Sequence, residues 1–346
     1  RNKRFIGILD IKGGRKVKSN RNNILKKIIV FISVMTVITL LIVNCDITAE
    51  SKPTKGVDAN GNTWTYNKKT KTLTFKGTKD LEENLMDGHS SEPEWFCWDE
   101  EAEQLVIKEG ITGLPGGEFD SFTELKTVVL PDTVTYIGDM VFFSCLKIEE
   151  IKMSKSIVKI GDFAFEGCEK IKEIRIPSKL IEIGIGAFGD CSNITEINIP
   201  NSVKKIGKSA FSGCTKLKTV KLSENLKAVN ESLFYGCENL ENIKIPESVT
   251  TIYAGAFQKS GIKQIIIPKN VKYIKKGDQG KGIFEDCKNL KTIKINSKKI
   301  ESCFKGAFNG VNKNVVINVP ESKLKEYKSM FHKSGLSKKV KIKGIS

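Results

Sequence analysis

The side chains that could do chemistry are few and scattered. The nine cysteines are Cys45, Cys97, Cys145, Cys168, Cys191, Cys214, Cys237, Cys287 and Cys303, and the two histidines are His89 and His332. No two cysteines form a Cys-x-x-Cys pair. Zinc sites need closely spaced Cys/His sets, so neither a metal nor any other cofactor is expected. Two distant histidines also leave no Ser-His-Asp or Cys-His constellation. The stretch Gly277-Asp-Gln-Gly-Lys-Gly282 sets a lysine among glycines, but it lacks the spacing and the Ser/Thr of a phosphate loop. It reads either as a tolerated surface insertion or as a recognition loop. A non-catalytic protein is the expectation, with a surface hydrolase as a distant alternative.

The elements that hold the cysteines explain them better than any reaction does. Phe119, Phe142, Phe165, Phe188, Phe211, Phe234 and Phe257 recur every 23 residues, in a chain with only 18 Phe among 346 residues. Three residues behind run Phe122, Cys145, Cys168, Cys191, Cys214 and Cys237. A period of 23 falls within the leucine-rich repeat range. The ladder cysteines therefore read as buried free thiols acting as small hydrophobes. Cys303 falls where other repeats place an Ile, which agrees with that reading. Side chains pointing one way into a single column are badly placed for disulfides.

One unit reads Ile171-Lys-Glu-Ile174-Arg-Ile176-Pro177, then Leu180-Ile-Glu-Ile183-Gly184, then Ala187-Phe188-Gly-Asp-Cys191. The first piece alternates with period two and is a short strand, ended by Pro177. Gly138, Gly161, Gly184 and Gly207 are expected to give a chain reversal its permissive backbone. The Ala-Phe-x-x-Cys piece suits one turn of helix or 3-10 structure. A unit offers about six apolar side chains, each contributing roughly 1.5–3 kcal/mol when buried. Ordering each of its residues costs about 1–2 kcal/mol. No unit can fold alone, so stacking is obligatory. Nine strands are predicted, starting near Leu125, Ile148, Ile171, Ile194, Leu217, Leu240, Ile262, Leu290 and Asn314, and they stack into a parallel sheet about 40 Å long. The register slips where Ser260 replaces the ladder Cys, at the insertion Lys275–Gly282, and before Phe308.

The net charge of +17 is concentrated at the ends. Residues 1–27 hold ten Lys/Arg and one acid, and residues 321–346 hold eight Lys and two Glu, leaving about +2 for everything between. The repeats are close to neutral, so nucleic acid is not an expected partner. The basic start precedes sixteen uncharged residues, Ile28–Val43, short for a spanning helix but suited to an export signal. Cleavage after Ile47-Thr48-Ala49, retention as an uncleaved anchor, and a lipoprotein at Cys45 all remain open. Membrane contact is expected only through residues 28–43, and only if the signal stays uncleaved.

The expected organisation is a basic N-terminus and signal over 1–49, a linker over 50–62, an N-terminal cap over 63–104, repeats over 105–320 and a C-terminal cap over 321–346. In the first cap, Trp64-Thr-Tyr66 and Leu73-Thr-Phe75 alternate around Asn67–Thr70 as a β-hairpin. In the second, Leu324, Tyr327 and Phe331 share a helix face, Gly335 sits at a C-cap position, and a strand follows near Val340–Ile342. Such caps cover the open apolar ends of a solenoid.

With Phe and Cys turned inward, the candidate binding residues lie on the outward side of the strands. They are Glu150, Lys152, Glu173, Arg175, Glu196, Asn198, Lys221, Lys244 and Lys294. A Glu column runs beside a basic column. It reads either as self-satisfying solubility or as a charge-striped recognition surface, and it offers no aromatic anchor.

The motif Ile-x-Ile-Pro-x-x-Val-x-x-Ile-Gly-x-x-Ala-Phe-x-Gly-Cys, cleanest at 197–214, resembles the BspA-like leucine-rich repeat proteins of bacterial surfaces over about 105–320. Trp64, Tyr66, Leu73-Thr74-Phe75, Gly77 and Pro93-Glu94-Trp95 are similar to that family's cap, although Gly77-Thr-Lys-Asp-Leu81 stands where the family often has Gly-x-Gly-x-Met. The resemblance implies an α/β repeat solenoid, curved and right-handed, with concave strands. It also implies export to the cell surface, binding to proteins or host surfaces, and no shared catalytic residues. The expected partner is a protein or glycan at a cell or matrix surface, as for an adhesin. The alternative is an envelope-associated spacer without a specific ligand.

Overall fold

The computed structural model describes residues 52–83, 92–278 and 280–346. Apart from Lys52 these belong to one compact unit, Pro53–Ser346. The expected signal, Cys45 and His89 lie outside the described residues. No described helix is long and apolar enough to cross a membrane.

From Gln104 onward the chain winds as a parallel-strand solenoid of about ten turns. A representative turn begins with the strand Glu196–Asn198, in which Ile197 points inward between two exposed neighbours. Val203 fills the core behind Pro200, a second strand follows at Lys205–Ile206, and Ala210, Phe211 and Cys214 close the third side, fully buried. Each piece stacks on its copy in the next turn. Glu196 pairs with Thr219 and Asn198 with Lys221, while Glu182 pairs with Lys205 and Ile183 with Ile206.

That second row of strands is not apparent in the sequence. It runs from Leu114–Gly116 through Tyr136–Asp139, Lys159–Ile160 and Glu182–Ile183 to Lys205–Ile206, and again from Ala228–Val229 to Ser302–Cys303. Cys303 pairs there with Ile274, in the Ile-type position expected of it. The glycines after this row do not serve chain reversal. Gly138, Gly161, Gly184 and Gly207 are absent from the residues of positive φ. Their role is to lack a Cβ, because one placed on Gly184 would lie 2.4 Å from the Gly161 carbonyl carbon and 2.5 Å from Asp162 N. Successive backbones touch here. The left-handed residues of each turn instead fall at two other places: two residues after the glycine, where Met140, Phe163, Gly186 and Ser209 adopt φ 56–59°, and just before the ladder Cys, where Gly213 has φ 72° and Asp190 and Ser144 adopt 54° and 55°.

The third side forms no helix. Its hydrogen-bonded turns link one rung to the next, Phe165 N–H donating to Ala187 O at 2.9 Å and Phe188 N–H to Ala210 O at 2.9 Å. The rings from Phe119 to Phe284 stack with centroids 5.3–6.0 Å apart and planes within 16° of parallel. The stack crosses the insertion at 275–282 unbroken, Phe257 to Phe284 at 5.7 Å, so the extra residues are accommodated outside the core.

The ladder cysteines are buried, and they do more than fill space. Cys145, Cys168, Cys191, Cys214, Cys237 and Cys287 each donate S–H to the carbonyl of the Phe one rung back, at 2.8–3.3 Å. Phe142 O, for example, accepts the N–H of Cys145 at 3.4 Å and the S–H of Cys168 at 3.2 Å, filling both lone pairs. Burial drives these thiols away from ionisation, as at Cys145, Cys191 and Cys237, where it raises the pKa well above the usual thiol range.

The outward strand row is less continuous than the nine-stranded sheet expected. It divides into three ladders, interrupted at 173–175 and 242–244. Burial nevertheless keeps alternating there: Ile174 is 6% exposed and Ile243 9%, each between exposed neighbours. The row also extends beyond the nine, back to Gln104–Ile107 and forward to Lys341–Ile345, which pairs with Val316–Pro320.

At the first end, the hairpin Thr63–Asn67/Thr72–Lys76 turns on Asn67, whose Oδ1 accepts the N–H groups of Lys69 and Thr70. Phe75 meets Phe119 edge-on at 5.5 Å, with Trp95 edge-on to Phe75 at 5.0 Å. At the other end, Phe331 of the helix Leu324–Lys333 lies 4.7 Å from Phe308, and Tyr327 Oη accepts the Ile300 N–H at 3.0 Å.

Two substitutions test these roles by urea denaturation. Gly184→Ala should destabilise by about 3 kcal/mol, because the methyl meets backbone that cannot move aside. Cys191→Val keeps the bulk but leaves the Phe165 carbonyl one donor short, and should cost about 1 kcal/mol. An unchanged midpoint in either variant would remove the corresponding role.

Candidate binding surface

The inward alternation of the first strand row places all nine sequence-selected residues on the outside. Glu150, Lys152, Glu173, Arg175, Glu196, Asn198, Lys221, Lys244 and Lys294 are all exposed. Strand register sorts them into two columns. Thr127 stands beside Glu150 and Glu196 beside Thr219; in the second column Val129 stands beside Lys152, Asn198 beside Lys221, and Ile266 beside Lys294. Glu173, Arg175 and Lys244 keep the same outward positions on the two rungs without ladder hydrogen bonds.

The columns are less self-satisfied than the sequence suggests. Arg175 Nε donates to Glu173 Oε1 of its own rung at 2.8 Å, which raises the guanidinium pKa further. Lys244 reaches back to Glu224 at 3.1 Å. Glu150, Lys152, Glu196, Lys221 and Lys294 form no ion pair among the described residues. Facing charges in a sheet contribute about 0.2–1 kcal/mol even when paired, so these side chains are not needed to hold the fold. A stronger pairing lies at the margin of the row, where Lys126 and Lys71 both hydrogen-bond Glu103 at 2.6 and 2.7 Å and hold its carboxyl down to about 2.

Sequence reasoning overlooked two members of these columns. Lys341 pairs with Val316 and Lys343 with Asn318, so the last strand extends both columns by one rung. The alternation Val340-Lys-Ile342-Lys carried the signal, but the helix before it hid the register.

Gly277 and Asp278 of the inserted loop are tied down. Asp278 holds Lys208 at 2.5 Å, and Lys208 also reaches Glu231 at 3.3 Å. Gly277 lies so close that a Cβ there would come within 2.1 Å of the Glu231 carboxyl carbon. Gly277 and Asp278 thus lie against earlier rungs, beside Glu231 and Lys208 rather than beside the two strand-face columns. Two shallow recesses, one lined by Asn60, Thr78, Lys79, Asp80 and Thr112 and the other by Glu301, Ser302, Cys303, Lys305, Met330, Lys333 and Ser334, include none of the nine.

Acids with raised pKa values sit away from this face. Burial pushes Asp120 and Glu166 each up to about 7. Glu118 occupies the Ala column of the first full turn with no exposure. Its Oε1 accepts the Gly116 N–H at 2.9 Å, Oε2 has no partner among the described residues, and burial raises its pKa to about 8, with Glu83 and Asp80 adding to the shift.

The profile of the BspA type leucine rich repeat region matches in six copies, over residues 91–200, 181–279 and 277–345. Among solved structures, a leucine-rich repeat protein from Bacteroides ovatus is 23% identical, with a TM-score of 0.50 over 82% of this chain and 77% of its own. One from Eubacterium ventriosum is 22% identical, with a TM-score of 0.49 over 75% of this chain and 76% of its own. A leucine rich cell surface protein from Faecalibacterium prausnitzii is 21% identical, with a TM-score of 0.47 over 79% of this chain and 72% of its own. At this identity the Bacteroides likeness bears on the fold alone. No curated protein matches the chain.

Glu118 gives the stability a pH dependence of definite sign. Its folded pKa lies above the unfolded value, so the folded state binds the extra proton between pH 4.5 and about 8 and loses stability as pH rises through that window. Glu118→Gln should match wild type below pH 4 and exceed it in thermal midpoint at pH 8.5. Equal midpoints at pH 8.5 would show that the carboxyl ionises without cost.

Proposed function

The chain belongs to the BspA-type leucine-rich repeat family, and from that membership we propose that it is an exported, non-catalytic protein that binds a protein or glycan at a cell or matrix surface. Binding takes place on the outward columns of the first strand row. One observation carries the reading: Glu150, Lys152, Glu196, Lys221 and Lys294 are exposed in register, without an ion pair among the described residues, on a scaffold whose conspicuous residues are all inside. Repeat solenoids present extended surfaces of this kind to their partners. Export rests on the basic residues 1–27 followed by the uncharged run Ile28–Val43.

The ion pairs Arg175–Glu173 and Lys244–Glu224 favour a second reading, a spacer whose surface charges satisfy one another. The two readings part on one experiment. Reversing charge at Lys152→Glu, Arg175→Glu, Lys221→Glu and Lys244→Glu together should weaken binding of the full chain to a host-cell or matrix preparation by about tenfold or more, with circular dichroism unchanged. Unchanged affinity would take the strand face out of consideration, and the absence of saturable binding by the wild-type chain would favour the spacer.

A further inference from the structure

The near-neutral charge of the repeats conceals an uneven distribution along the strand face. Between Glu150 and Asn198 the two outward columns hold three acids, Glu150, Glu173 and Glu196, against Lys152 and Arg175. From Thr219 onward they hold no acid at all, while Lys221, Lys244, Lys294, Lys341 and Lys343 project from them. Lys221, Lys294, Lys341 and Lys343 form no ion pair among the described residues. Lys244 has only the exposed Glu224, and the nearby Glu241 is already bound to Lys263 at 2.6 Å.

We infer that this C-terminal half of the strand face binds a linear polyanionic polysaccharide laid along the stacking direction. The inference rests on the strand face being the binding surface and names the chemistry it takes. Rungs repeat at about 4.8 Å, so four of the five lysines (Lys221, Lys244, Lys294 and Lys343) form a single file about 24 Å long. An exposed lysine gains little from one anion, so useful affinity requires many contacts made by one chain. The ligand is therefore a polymer carrying charge at short intervals. Ammonium groups are point charges without the fork that selects planar carboxylate or phosphate pairs, so the file reads the spacing of charge along the polymer rather than the kind of anion. A single-stranded nucleic acid would need aromatic platforms for its bases, and the two columns contain none. A protein partner would need anchors for its hot spots, and in this half Ile266 is the one large exposed apolar side chain, at 51%.

The test uses the full chain, with heparin as a sulfated polysaccharide and poly(glycerol phosphate) as a phosphate-bearing one, so that the two sources of charge are separated. Poly-L-glutamate and oligo-dT serve as competing polyanions. In one variant Lys221, Lys244, Lys294, Lys341 and Lys343 are all replaced by Gln. In a charge-matched control the exposed Lys204, Lys227, Lys325, Lys328 and Lys338 are replaced instead. The control retains the basic N-terminus, so any binding by that segment is common to both. Affinity for at least one polysaccharide should fall about tenfold or more in the face variant, less than about threefold in the control, and decline with salt. Equal losses in both variants, no binding to either polysaccharide, or equally tight binding of poly-L-glutamate or oligo-dT through the same lysines would overturn the inference. Both variants are also assayed on the matrix preparation. Loss there without loss on the polysaccharides leaves the strand face standing and removes the ligand class, whereas loss on neither removes both.

Discussion

No rung of this protein can satisfy its own backbone, and the rest of the structure follows from that. Each turn leaves N–H and C=O groups pointing along the stack on three sides, and only the next turn can meet them. The Phe carbonyl illustrates the constraint best. One lone pair is filled from its own turn by the Cys N–H, the other from the following turn by the Cys S–H. A thiol at this place is small enough for the column, apolar enough for the core, and still able to donate. At Ser260, where the ladder lacks a Cys, the hydroxyl contacts the Cys287 sulfur at 3.5 Å, so the column keeps a polar contact there.

The same constraint separates interior from surface. Phe, Cys, Ala, Ile and Gly recur because each turn must present the same template to its neighbours. The outward residues carry no such obligation, and they vary from Glu to Thr to Lys along a single column. A surface of this kind can change its charge without altering the fold. The stretch before Phe284 shows how far that freedom extends, since the 27 positions from Phe257, four more than the usual 23, leave the Phe stack at its ordinary spacing, with Asp278 moored outside to Lys208.

The period and the inward residues were legible in the sequence because Phe and Cys recur at a fixed spacing of 23, and a slip in that register would bury polar groups. What stayed hidden had weaker signatures. Strands of two residues, such as Lys205–Ile206, are too short to show alternation, so the second row passed for a turn. The glycine beside it has two physical uses, positive φ and a missing Cβ, and the sequence does not distinguish them; the contact between Gly184 and Gly161 does. The outward residues of the candidate surface could be named from the strand period alone. Their pairing could not, because it depends on side-chain reach: Arg175 folds onto Glu173 while Lys152, placed likewise beside Glu150, does not.

The hydrogen bonds between turns all run along the stacking direction. A pull on the two ends of the array therefore loads them in series, and each turn bears the whole force on its own few bonds. Such a molecule does not fail all at once. It lengthens one turn at a time, and at 173–175 and 242–244, where the outward row has no strand ladder, side-chain burial and the other two sides must carry the load.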